Sequence, residues 1–232
     1  MEGKRNKSLG QTGGKIKMSD KSRQTNLTSW RKKYNIPTNK FLIQKTLQYI
    51  TSKNWYTNSN KAIKDKFGDN TDLFINILAS TSQRNSVGFN VKVATKTLIY
   101  HKNNIPIKFK FGIASKQIEK NINRCFNNEP LGGQKINAFA KALKGDLNSI
   151  VIDTWIMHVF NLRRKSPTSC DIRQIKTIIN KISKEIELRP AEIQACLWSY
   201  AKLELNDSAF KEDNDFSYYL KNMHPDRYIE EM

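Results

Sequence analysis

The sequence predicts a mostly α, compact, single-domain protein with a flexible basic arm at its N-terminus. Three observations lead there. From Thr38 onward, apolar residues recur three and four apart in one segment after another, which is the period of a helix burying one face. Glycine, asparagine and proline separate these segments and punctuate them as helix ends. No self-similar period of roughly 20–50 residues runs through the chain, so a solenoid is not expected.

The elements follow in chain order. Residues 1–33 hold ten Lys or Arg and two acids, with scattered Gly and Ser and little apolar periodicity before Trp30. They read as a disordered basic arm. The helical domain is expected over 34–205. Phe41, Leu42, Ile43, Leu47 and Ile50 mark its first helix, with Asn54 and Trp55 close behind. Leu73, Phe74, Ile77 and Leu78 mark a second, entered through Asp69-Asn70-Thr71, and a third runs from Ser86 to Tyr100. Ile105 to Gly112 alternates briefly and reads as a short extended strand. Helices resume through Ile118, Ile122 and Phe126, and again through Ile136, Phe139, Ala140 and Leu143. Between those two, Glu129 to Gln134 leaves room only for a tight turn. One late helix carries Ile172, Ile175, Ile179, Ile182 and Ile186, and another opens at Pro190, a favoured first-turn position. Residues 206–232 form an acidic and aromatic tail.

With 232 residues and 38% hydrophobic content, the chain can bury a core without covalent staples. Forty Lys and Arg against twenty-one Asp and Glu give a formal charge of +19, which makes a polyanion the first partner to consider. The three cysteines, Cys125, Cys170 and Cys196, are odd in number and far apart, so they supply neither a disulfide framework nor a four-cysteine metal cluster. Absence of an apolar leader and of an eighteen-residue apolar run leads to the expectation of a soluble, intracellular protein with no membrane role.

The chemistry concentrates in Pro130-Leu-Gly-Gly-Gln-Lys135 and in Ser149-Ile-Val-Ile-Asp153. A Gly-rich turn that opens a helix offers unpaired N–H groups and the positive end of the helix dipole to a phosphate. Asp153 leaves an apolar run at the start of a helix, where a carboxylate can be partly desolvated and aimed at a reacting centre. The same position suits a helix cap, and both readings of Asp153 stand at this point.

Lys135 and Asp153, eighteen residues apart, together with Ile152-Asp-Thr-Trp-Ile-Met-His-Val159, resemble the helix-hairpin-helix (HhH-GPD) DNA glycosylase superfamily, and especially its endonuclease III-like branch. Ile77 to Val87 looks like that family's earlier helix and DNA-facing turn, and Pro190 to Lys202 is similar to its closing Trp-bearing helix. The resemblance covers roughly residues 70–203. Three positions depart from it. The turn reads Leu131-Gly132-Gly133 in place of two glycines flanking an apolar residue, Thr81 stands where the family often has a duplex-filling Gln, and the four-cysteine iron–sulfur cluster is missing.

The resemblance implies base-excision chemistry on double-stranded DNA by a monomer, without a cofactor beyond a structural monovalent cation at the hairpin. A damaged or modified base would be flipped into a pocket between two halves of the domain. Lys135 would attack the sugar C1′ with glycosylase and AP lyase activity, and Asp153 would stabilise the developing positive charge. Gly132, Gly133, Gln134, Thr81, Ser82, Gln83 and Arg84 would face DNA. His158, Trp155 and Trp198 read more simply as packing residues. A catalytically silent DNA-binding module and an RNA- or ribosome-associated basic protein are the competing classes.

Overall fold

The computed structural model describes residues 20–83, 85–107, 115–206, 213–221 and 223. Helices make up the bulk of them, and no strand occurs among the described residues. In order they are α1 (Asp20–Tyr34), α2 (Asn39–Gln48), α3 (Trp55–Phe67), α4 (Thr71–Thr81), α5 (Val87–Lys102), α6 (Ser115–Phe126), α7 (Gln134–Leu143), α8 (Thr154–Val159), α9 (Ser169–Ile186), α10 (Pro190–Glu204) and α11 (Phe216–Lys221). Short 3-10 turns at Ile50–Asn54 and Gly68–Asn70 lead into α3 and α4.

Local chemistry sets many of the boundaries. The Thr38 hydroxyl caps α2 by accepting from the Phe41 N–H at 3.2 Å, and Ser86 caps α5 through the Phe89 N–H at 3.3 Å. Thr168 and Asp171 form a reciprocal capping box on α9. At α10, Pro190 occupies the first turn while Glu192 accepts from the Arg189 N–H at 2.8 Å.

The core divides in two. One cluster gathers α3, α4, α5, α7 and α11 around Phe74, Ile75, Ile77 and Leu78; the other gathers α1, α2, α8 and α9 around Phe160, Ile175, Ile179 and Leu42. Helix α10 serves both: Ala191 and Ala195 face the first cluster, while Ile193, Leu197, Tyr200 and Ala201 face the second. The segment before Asp153 is shared in the same way. Leu147 and Val151 enter the first cluster and Ile150 and Ile152 the second, as the two-residue alternation of an extended chain requires. Asp153 therefore leaves the seam between the two cores.

Four expectations are corrected or bounded. Residues 20–33 are not part of a disordered arm but belong to α1. Trp30 is only 5% exposed, and its indole N–H donates to the buried Asp171 carboxylate at 2.9 Å. The acidic and aromatic 206–232 segment packs on the body where it is described, because Phe216, Leu220 and Met223 enter the first cluster and Lys66 donates to the Met223 carbonyl at 2.9 Å. Helix α3 went unforeseen; Thr57 to Lys61 is polar throughout, and the apolar stripe is confined to Trp55 and Tyr56 at one end and Ala62, Ile63 and Phe67 at the other. Of the supposed strand, residues 105–107 are irregular and 108–112 lie outside the described residues.

Candidate active site and nucleic-acid interface

A cavity of about 450 Å3 opens where the two clusters meet. Its wall takes residues from the start of α3, the turn after α4, the first turn of α5, the first two turns of α7, the seam segment, the start of α8, α10 and the start of α11. Six aromatic side chains line it: Trp55, Tyr56, Phe139, Trp155, Trp198 and Phe216. Trp55 is their hub, with ring centroids 5.0 Å from Phe216, 5.1 Å from Tyr56 and 6.0 Å from Trp198. Its indole N–H is buried without a hydrogen-bond partner, a cost that native interiors rarely leave standing unless a ligand or water takes the donor.

Both Lys135 and Asp153 line this cavity. Lys135 comes from the first turn of α7 and is partly exposed. Asp153 does cap α8, with Oδ1 accepting from the Ile156 N–H at 2.9 Å. Its other oxygen accepts from the Trp198 indole N–H at 3.1 Å. Cap and cavity residue are thus one and the same, and the carboxylate is held at both ends while each oxygen keeps a lone pair for a ligand.

Around this pair α10 presents one stripe, Gln194, Trp198 and Lys202, four residues apart. The Lys202 ammonium lies 4.8 Å from the Trp155 ring centroid and 5.8 Å from that of Trp198, so the two rings hold a cation at the cavity wall. Gln194 Oε1 accepts from the buried Tyr56 hydroxyl at 2.6 Å, which leaves the amide NH2 as the group Gln194 can offer. Burial, and then the charge of Asp153, push the Tyr56 hydroxyl well above the usual phenol range against the pull of Gln194. Tyr56 therefore remains a hydrogen-bond donor at any ordinary pH.

The Gly-rich turn joins α6 to α7 and is laced to both. Asn121 on α6 accepts from the Gly132 N–H at 2.8 Å and donates to the Gly132 carbonyl at 3.2 Å. Asn137 on α7 donates to the carbonyls of Leu131 at 2.7 Å and Gly133 at 2.9 Å. The N–H of Gly132 is therefore not one of the unpaired groups expected of the turn. A Cβ on Gly132 would collide with the Arg124 guanidinium. Gly133 sits at φ +97° and no side chain caps α7, so the amides at the start of α7 are the ones presented outward, beside an exposed Gln134.

The turn after α4 behaves differently from expectation. Thr81 cannot meet a ligand: it is fully buried and its hydroxyl donates to Asn90 Oδ1 at 2.7 Å, while Asn90 donates to the Leu78 carbonyl at 3.0 Å. The expectation that Thr81 faces DNA is withdrawn on that ground. Ser82 does line the cavity, Gln83 is partly exposed and does not line it, and Arg84 lies outside the described residues. His158 stands edge-on to Trp155 at 5.6 Å, and Trp155 and Trp198, expected as packing residues, both pack on the second cluster and line the cavity.

The sequence reading missed Trp55, Tyr56, Phe139, Gln194, Lys202 and Phe216 as cavity residues. For Gln194 and Lys202 a signal existed, since both share a helical stripe with Trp198. For Trp55, Tyr56 and Phe216 none did, because they arrive from distant segments. Among the described residues no group of His, Cys, Asp and Glu could hold a metal ion, and no helix is long and apolar enough to cross a membrane.

The model of a family described as "Family of unknown function (DUF7178)" matches residues 18–204. The matched span thus runs from just before α1 to the end of α10. No curated protein and no solved structure matches the chain.

Proposed function

We propose that this chain, which belongs to the DUF7178 family of unknown function, is a DNA glycosylase of the helix-hairpin-helix kind that draws a damaged or modified nucleotide out of a duplex and cleaves its N-glycosidic bond. The observation that carries the reading is the shared cavity. An amine and a carboxylate that the sequence pairs at the spacing of that superfamily both stand in the wall of one aromatic-lined hollow between two cores. Its volume, about 450 Å3, falls within the roughly 300–1,000 Å3 usual for small-molecule sites. Flat rings suit a flat heterocycle, and the Gln194 amide and the unpartnered Trp55 N–H suit its polar edge. The formal charge of +19 supplies attraction to a phosphate backbone whatever its sequence.

In this reading Lys135, as the free amine, adds to the sugar C1′. The C1′–N bond breaks, its electron pair leaves with the base, and water protonates the base. The proton that the amine gives up passes to O4′ as the C1′–O4′ bond opens, which leaves a free O4′ hydroxyl and a protonated Schiff base from which strand cleavage by β-elimination can follow. Asp153, fixed by Ile156 and Trp198, offsets the positive charge that builds on the sugar.

A specific observation favours a second reading within the same class. Asp153 already carries two N–H donors, which suits a carboxylate that stabilises charge beside an activated water while Lys135 contacts phosphate. Borohydride trapping on duplexes carrying an abasic site or a panel of lesions separates the cases. A covalent adduct, lost in Lys135→Ala and retained in the exposed control Lys181→Ala, is the expected result. Base release without an adduct assigns the water mechanism. Neither base release nor adduct on any substrate refutes the enzyme and leaves a silent DNA-binding module.

A further inference from the structure

We infer that the end of α1 and the segment after α8 form a phosphate-binding surface outside the cavity, centred on Lys33, Tyr34 and Arg164, that grips the backbone of a nucleic acid. None of these residues lines the cavity, and the inference does not depend on the chemistry proposed there.

The two segments are fastened to each other. Asn161 donates to the Asn35 carbonyl at 2.7 Å. Trp30, one turn before Tyr34 and 6.0 Å from its ring, donates to one oxygen of Asp171, and the Arg164 guanidinium stands 3.2 Å from the other. The Arg164 guanidinium lies 4.8 Å from the centroid of the Tyr34 ring and the Lys33 ammonium 5.1 Å from it. Two cations held against one ring form a prepared platform, so little ordering remains to be done when a ligand arrives.

These cations outnumber their acceptors. Arg163 and Lys165, on either side of Arg164 in the chain and both exposed, add two more. Among the described residues the one carboxylate paired with any of the four is that of Asp171. Its oxygens already accept from Trp30 and twice from Thr168. Arg164 and Lys33 turn instead to the phenol: hydrogen bonds from the two side chains hold the Tyr34 hydroxyl below the usual phenol range, against the effect of burial. Cations so placed repel one another until an anion comes between them. The negative end of α1 accounts for Lys33, but not for three cations carried on another segment.

Charge and surface chemistry select the ligand. Four cations against one carboxylate leave a net charge of three, more than the charge of about −2 that one phosphate carries. A run of phosphates satisfies it better, and guanidinium forks fit phosphate oxygens in pairs. Binding to a lipid surface calls for bulky apolar residues beside the cations. The exposed large apolar residues among those described, Leu47, Phe89, Leu205 and Tyr218, all belong to other segments.

The test is binding of the full chain to an undamaged DNA duplex, by fluorescence anisotropy at several salt concentrations. One variant combines Lys33→Gln, Arg163→Gln and Lys165→Gln; a control removes the same charge through Lys61→Gln, Lys102→Gln and Lys184→Gln. All six positions are exposed, and unchanged melting temperatures check that both variants fold. The site variant should lower the slope of log affinity against log salt by about 2–3, at roughly 0.9 per phosphate contact, and weaken binding by about tenfold or more. The control should keep most of both. An unchanged slope, or equal losses in the two variants, overturns the site. Displacement of the duplex by inorganic phosphate at constant ionic strength overturns its assignment to a polymer. Phosphatidylserine vesicles that bind wild type more tightly than the duplex does, and release the site variant, overturn its assignment to nucleic acid. The duplex carries no lesion and no bond in it is broken, so a failure of base release or trapping leaves this surface standing, and loss of the surface leaves the reading of the cavity standing.

Discussion

Asp171→Ala should destabilise the protein by about 3 kcal/mol, and the figure follows from what the carboxylate holds. One oxygen accepts from the Trp30 indole at 2.9 Å, and the other accepts from the Thr168 N–H and hydroxyl, both at 2.8 Å, with the Arg164 guanidinium 3.2 Å away. Losing the capping box on α9 costs about 1 kcal/mol, and leaving a buried indole N–H without an acceptor costs about 1–3 kcal/mol. Urea unfolding followed by circular dichroism measures it. With a slope of roughly 3 kcal/mol/M, the midpoint should fall by about 1 M at unchanged slope. The pH dependence carries a second check. Burial pushes the Asp171 carboxyl up, but the hydrogen bonds from Thr168 and Trp30 and the charge of Arg164 outweigh it and leave the group below its usual range. A carboxylate lowered on folding contributes stability that is present above its unfolded value of about 3.9 and is lost as pH falls through the lowered folded value. Wild type should therefore lose part of its advantage over Asp171→Ala on acidification. A loss below about 0.5 kcal/mol, in the range of ordinary surface substitutions, would refute the docking of α1 on α9.

Two other outcomes follow from the site and from the packing of α11. Trp198→Phe keeps a ring in the cavity wall but removes the donor to Asp153 Oδ2. A hydrogen bond to a charged group contributes about 1.5–3 kcal/mol, so under the proposed glycosylase reading single-turnover base release should slow by roughly tenfold or more with little change in duplex binding; an unaltered rate would show that the indole does not position the carboxylate. Phe216→Ala empties a fully buried position that packs against Trp55 at 5.0 Å. It should cost about 3–5 kcal/mol in urea unfolding, whereas a tail lying loosely on the surface would lose almost nothing.

The legible part of the fold was the part written in local periodicity. Helices α2, α4, α5, α6, α7, α9 and α10 each carry enough apolar residues on one face to be seen in the sequence. Helix α3 escaped because its centre, Thr57-Asn-Ser-Asn-Lys, is polar and its buried face rests on few residues. Helix α1 escaped because it carries five Lys or Arg and few apolar residues, and is fastened by Trp30 to a carboxylate 141 positions away. Such a bond leaves no periodic trace.

The sequence alone determined that the chain is helical, strongly basic, and marked by a lysine and an aspartate eighteen residues apart behind a glycine turn. Those properties are fixed by composition and by neighbours along the chain. Only the tertiary structure decided that Lys135 and Asp153 share a cavity, that Trp55, Gln194, Lys202 and Phe216 complete its wall, and that Thr81 is sealed while Phe89 is exposed. Burial and proximity are properties of how helices pack. They depend on which faces meet across two cores joined by α10, and residues more than a hundred positions apart meet there with no sign of it in the sequence around them.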